Sequence, residues 1–125
     1  MSSFTTAVIG ASPNPSRYAF LAVNRLVHFN FDVVALGFRE GNIGNIPIQR
    51  EWPEDIPNLK VVSLYLGPQR QEPFYDYIIG LQPEKVIFNP GTENPELYDL
   101  LTKAGIQFEK ACTLVLLNTG VYKEL

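Results

Sequence analysis

Four short stretches of this 125-residue chain carry residue types suited to holding an anionic group. The first is Gly10-Ala11-Ser12-Pro13-Asn14-Pro15. A glycine there permits a tight turn, and the serine offers a hydroxyl and a backbone N–H. A helix beginning just beyond would add free N–H donors and the positive end of its dipole. Of the dinucleotide pattern G-x-G-x-x-G only the first glycine is matched, by Gly10, with Ser12 and Pro15 in the other two places. The loop therefore reads either as a phosphate site or as a plain connecting turn. The second stretch is Arg39, where a basic residue can meet a ribose phosphate and an acidic one would favour free ribose hydroxyls. Glu40 beside it could instead neutralise it. Gly67-Pro68-Gln69-Arg70 and Asn89-Pro90-Gly91-Thr92-Glu93-Asn94 complete the set.

Other chemistries have little to work with. One His and one Cys are too few for a Cys/His zinc site, and no clustered Asp motif suggests a carboxylate site. His28 is expected in the last turn of a helix, at the end away from the candidate loops, where a cation complements the dipole. Cys112 reads as a small buried residue, and a Cys112–His28 dyad would need contact across the domain. No catalytic or metal residue is expected. Trp52 is expected to anchor the proline-rich segment around it, and Tyr65, Phe74, Tyr75 and Tyr77 to be mostly core. A single cysteine excludes an internal disulfide, the polar residues 1–6 do not resemble a leader peptide, and no apolar run is long enough for a bilayer. These features point to the cytoplasm. The net charge of −3 leaves no broad basic surface for nucleic acid or an anionic membrane.

The elements that must position the loops follow from periodicity. The length and the 46% hydrophobic content fit one globular domain, residues 1–125. Apolar runs at residues 6–9, 32–36, 60–66, 85–88 and 106–109 alternate with helical patterns, which predicts α/β architecture with a mainly parallel five-stranded sheet. The expected fold is a Rossmann-like three-layer αβα sandwich of strand order 3-2-1-4-5. The first helix is expected from residue 16 or 17 to 28–30, with Ala19, Val23, Leu26 and Val27 as its buried stripe. A second is expected with Phe74, Tyr77, Ile78 and Leu81 on one face and Pro73 in its first turn. The last begins at Asn94 as N-cap, with Pro95 and Glu96 in its first turn, buries Leu97, Leu100, Leu101 and Ala104, and stops at Gly105. Residues 40–58 read as an irregular excursion with a short strand near 46–48, and residues 113–118 as strand or short helix. All four candidate loops then fall at the carboxyl ends of strands, where open α/β sheets bind ligands. There, Arg39 suits NADP or the 3′-phosphate of coenzyme A.

The two longest loops together resemble a known family. Ala7-Val8-Ile9-Gly10-Ala11-Ser12-Pro13-Asn14-Pro15 resembles the opening of the small stand-alone CoA-binding domains, which are similar to the N-terminal domain of the succinyl-CoA synthetase α subunit. Asn89-Pro90-Gly91-Thr92-Glu93-Asn94 resembles that family's Gln-Pro-Gly-Ala-Glu-Asn stretch, and Cys112 stands where the family usually has a cysteine. The resemblance implies a Rossmann-like fold that binds coenzyme A, with Gly10, Ala11, Ser12 and Pro13 at the phosphates. The rest of the expected binding set is Asn14, Arg39, Gly67, Pro68, Asn89, Pro90, Gly91, Thr92 and Asn94. Arg39 keeps the charge of a lysine common in relatives, whereas the family's Asn-Pro becomes Gly37-Phe38, and the Asp and Arg usual near residues 63–68 are missing. The ligase chemistry of the synthetase does not carry over, because it uses a histidine of a second domain. The expectation is a non-catalytic protein binding CoA or acyl-CoA, which could also present that surface to a protein partner or a second copy. An NADP-binding oxidoreductase domain and a ligand-free interaction domain are the alternatives.

Overall fold

Seven strands, four α-helices and three 3-10 turns succeed one another in the computed structural model, which describes residues 4–125. The first half of the stretch read as lacking a leader lies outside the described residues. The strands are β1 (Thr5–Ala11), β2 (Asp32–Gly37), β3 (Asn42–Ile43), β4 (Ile46–Gln49), β5 (Leu59–Leu64), β6 (Lys85–Phe88) and β7 (Gln107–Lys110). The helices are α1 (Tyr18–His28), α2 (Tyr75–Gly80), α3 (Pro95–Lys103) and α4 (Thr113–Asn118). None is long and apolar enough to cross a membrane.

The α/β sandwich stands as expected, with corrections to strand count and order. The sheet runs β3-β4-β2-β1-β5-β6-β7, and all its pairings are parallel except β3 with β4. The run at residues 60–66 was expected beside β2; it forms β5 and pairs with the opposite edge of β1. The edge of β2 is already taken by β4 of the excursion. The connection onward has no helix. Instead Ile56 is buried and Trp52 packs beside it on the face later covered by α2 and α3, so two side chains do the work of a crossover helix. The carboxyl ends of β1 and β5 therefore flank the crevice.

Successive strand residues point to opposite faces, and both faces are covered. Val8, Ala35, Val61 and Ile87 pack against Ala19, Val23 and Leu26 of α1 and Leu117 of α4. Ala7, Leu36, Val62 and Val86 pack against Ile78, Leu97 and Leu101 of α2 and α3. Burial of one such valine, leucine or isoleucine side chain contributes about 1.5–3 kcal/mol. Ala22 rather than Val27 completes the stripe of α1, and Val27 is 44% exposed. Ala104 is exposed at the end of α3. The expected helix at Pro73 is shorter: two 3-10 turns, Pro68–Arg70 and Glu72–Phe74, precede α2, because prolines 68 and 73 can begin a turn but cannot donate within one. Residues 113–118 are helical, and Asn94 caps α3 as expected, its Oδ1 accepting from Glu96 N at 3.1 Å.

Candidate ligand cleft

A cleft of about 540 Å³ opens over the carboxyl ends of β1, β2, β5 and β6. Its floor begins at Gly10, whose φ of +98° suits glycine and whose added Cβ would stand 3.0 Å from the Tyr65 backbone carbon. This close approach lets β1 bulge between Ile9 and Ala11 and turn the chain into the cleft. Beyond it Asn14 organises the turn. Its Oδ1 accepts from Ser16 N at 3.0 Å and Ser16 Oγ at 2.8 Å, and its backbone N–H donates to Ser12 Oγ at 3.1 Å. Arg17 occupies the N-cap of α1, where its side chain accepts nothing, and the first turn holds no acidic residue. The opening N–H groups of α1 thus lack a side-chain acceptor and lie beside Ser12 and Arg17 in the cleft wall.

The end of β2 supplies Phe38 and Arg39. Glu40 does not neutralise Arg39; it pairs at 3.5 Å with Arg50, both partners well exposed. Among the described residues Arg17, Arg39 and Arg70 make no ion pair. All three line the cleft, and no carboxylate does.

The loops after β5 and β6 are tied to each other by Gln71, which is fully buried. Its Nε2 donates to Leu66 O at 2.9 Å and Thr92 O at 2.8 Å, and its Oε1 accepts from Asn94 Nδ2 at 2.9 Å. Asn89 plays the same part beneath them. It donates to Ser63 Oγ at 3.0 Å and Leu64 O at 2.9 Å, and accepts from Thr113 N at 2.8 Å. Thr92 Oγ1 donates to Asn89 O at 2.7 Å. Tyr65 reaches the cleft just past β5; its phenol is raised well above the ordinary tyrosine pKa by burial first and then by nearby Cys112.

Of the residues expected from sequence, Gly10, Ala11, Ser12, Arg39, Gly67, Pro90, Gly91 and Thr92 line the cleft. Pro13, Asn14, Pro68, Asn89 and Asn94 stand outside that lining: Asn14, Asn89 and Asn94 shape loops through their hydrogen bonds, and Pro13 packs under Gly41. Sequence reasoning passed over Ser16, Arg17, Tyr18, Phe38 and Tyr65 as ligand contacts, and named Arg70 only within the Gly67–Arg70 stretch. The signal for Arg17 was its place at the helix start; for Phe38 it was adjacency to the chosen Arg39, and for Arg70 its own charge in a loop already named. Gln71 carried no signal. His28 lies exposed at the far end of α1, against Phe29. Cys112 is a half-buried free thiol at the N-cap of α4, and the described residues hold no cluster of potential metal ligands. Trp52 anchors the excursion as expected: its indole N–H donates to Gly37 O at 3.1 Å and its ring packs on Phe38, Phe74 and Tyr77.

Known structures share this architecture. A crystal structure of an uncharacterized protein superposes with a TM-score of 0.91 at 40% identity, covering 97% of this chain and 99% of the other. The Thermus thermophilus protein described as cell-free ID.343 gives a TM-score of 0.84 at 20% identity over 95% of this chain and 90% of its own. A hypothetical protein from Pyrococcus horikoshii OT3 gives 0.80 at 23% identity over 94% and 82%. Those two likenesses concern the fold alone. Among curated proteins none matches. The family model for the CoA binding domain matches residues 5–118, nearly the whole chain with both motif loops inside the match, and the chain belongs to that family.

Proposed function

We propose that this protein binds coenzyme A, free or acylated, in the cleft and performs no chemistry on it. The observation that carries the reading is the set of three arginines without ion-pair partners, Arg17, Arg39 and Arg70, around a cleft that no carboxylate lines. Coenzyme A presents a diphosphate and a 3′-phosphate, and guanidinium groups pair with such groups through charge-assisted, often bidentate bonds. The free N–H groups opening α1, with Ser12 and Arg17, suit the diphosphate. Arg39, past β2, suits the 3′-phosphate. Gly10 and Gly91, at φ of +98° and +93°, let backbone approach the ligand without a side chain between.

A binding role rather than catalysis is supported by the lining itself. It offers serine, threonine, tyrosine and arginine side chains but no carboxylate or imidazole base. The Tyr65 phenol keeps its proton at neutral pH. The free thiol of Cys112 suits the reducing cytoplasm. The cleft rim is also the surface on which a protein partner or second copy would sense the bound ligand.

Calorimetric titration with CoA, dephospho-CoA, NAD and NADP tests the reading. CoA is expected to bind more tightly than dephospho-CoA by about tenfold or more, the worth of a charged hydrogen bond. Arg39→Ala is expected to weaken CoA and leave dephospho-CoA nearly unchanged. Equal losses for both would remove the phosphate contact. Binding of NADP alone would move the protein to the oxidoreductase class, and binding of none of the four would leave an interaction domain.

A further inference from the structure

Phe38 is 44% exposed in the wall of the cleft, where most large apolar rings of this chain are covered. Its position is built. Trp52 holds the Gly37 carbonyl next to it, and the rings of Trp52 and Phe74 back it at 5.4 and 5.6 Å. Over the ring, with centroid distance 5.0 Å, lies the guanidinium of Arg70, which has no ion-pair partner among the described residues. A cation over an exposed ring is weakly held, and a flat heteroaromatic base stacks on such a ring more strongly.

We infer that Phe38 is the platform for the purine base of the ligand and that Arg70 is its placeholder. The base displaces the guanidinium from the ring, and the released cation turns to the ligand's phosphates. No covalent step is involved. The inference rests on the reading of the cleft as a site for an adenine nucleotide cofactor, and deepens it by assigning base selection to two residues. The exchange makes binding of base and phosphate mutually supporting, because each removes Arg70 from a competing contact.

The experiment compares CoA, adenosine and 4′-phosphopantetheine on the intact chain, read by calorimetry and by Trp52 fluorescence. Phe38→Ala is expected to weaken CoA and adenosine about tenfold while leaving 4′-phosphopantetheine unchanged. Phe38→Trp should keep both base-bearing ligands. Adenosine affinity unaffected by Phe38→Ala would overturn the platform. Arg70→Ala is expected to act in opposite directions, strengthening adenosine about threefold and weakening CoA. Weakening of both would overturn the exchange and make Arg70 a fixed part of the base site. If the unaltered chain binds adenosine through Phe38 but not CoA, the CoA reading fails and the platform stands; binding of CoA with no effect of Phe38→Ala has the reverse meaning. Binding of neither ligand would overturn both.

Discussion

The two sides of the cleft treat their polar groups differently. Along residues 10–17 and 38–39 the donors are left open: the first N–H groups of α1 have no side-chain cap, and Arg17 and Arg39 have no ion-pair partner among the described residues. Along residues 66–71 and 89–94 the side chains of Gln71, Asn89, Thr92 and Asn94 are buried and consumed, Gln71 and Asn89 with three hydrogen bonds each, and Arg70 is the one open cation. One side is arranged to receive an anion, and the other is arranged to hold still. Substitutions on the first should change affinity with little change in stability, and substitutions on the second the reverse.

The largest effect is expected at Ser12. Ser12→Tyr places a bulky ring between the turn and the mouth of α1, and CoA binding should fall below detection in calorimetry. The fold should lose no more than about 1 kcal/mol, since Ser12 accepts one exposed hydrogen bond, from Asn14 N. Binding close to that of the unaltered chain would put the anion elsewhere and break the comparison at its strongest point.

On the opposite side Gln71→Ala should destabilise the chain by about 2–4 kcal/mol in urea unfolding. It orphans Leu66 O and Thr92 O and removes the acceptor of Asn94 Nδ2 in a fully buried setting. A cycle of Gln71→Ala with Asn94→Ala should then show coupling of about 1 kcal/mol, because each residue's loss includes their shared bond. Strict additivity would mean that the two loops stand independently, and that the rigid side of the cleft is not a single structure.

This difference also governs what could be read from the sequence. Glycine, arginine and a helix start announce an open anion site through residue type alone, so Gly10, Ser12 and Arg39 were legible. Gln71 and Asn89 act through long-range hydrogen bonds, of which only loop-to-loop packing decides the partners; Asn89 looked like a ligand contact and Gln71 like nothing. Strands were legible for a similar reason, since doubly covered strands such as β1 and β6 are continuous apolar runs. Their order was not. The step from β4 to β5 is guided by Trp52 and Ile56, two residues in a proline-rich stretch without any helical period to mark it as a crossover. Family resemblance supplied the ligand class, but it did not single out Phe38, which stands with Gly37 where the resembling family has Asn-Pro.

The smallest effect expected near neutral pH concerns Tyr65, which lies between the two sides. Burial is the largest cause that raises the pKa of its phenol above the ordinary 10.0. Tyr122, buried against Thr6 on the same sheet face, is raised for the same leading reason. For a tyrosine the raised folded pKa means that the native state keeps a proton which the unfolded chain releases. Their contribution is therefore complete below pH 10 and is lost as pH rises from there through the folded pKa values. Stability between pH 7 and 9 should be flat in these two groups, and should decline above about 10. Tyr122→Phe and Tyr65→Phe should each make that alkaline decline shallower, even though Tyr122→Phe forfeits the hydrogen bond with Thr6 at neutral pH. A decline equally steep in both variants would mean that neither phenol is held from water, and would place Tyr65 with the open side of the cleft instead.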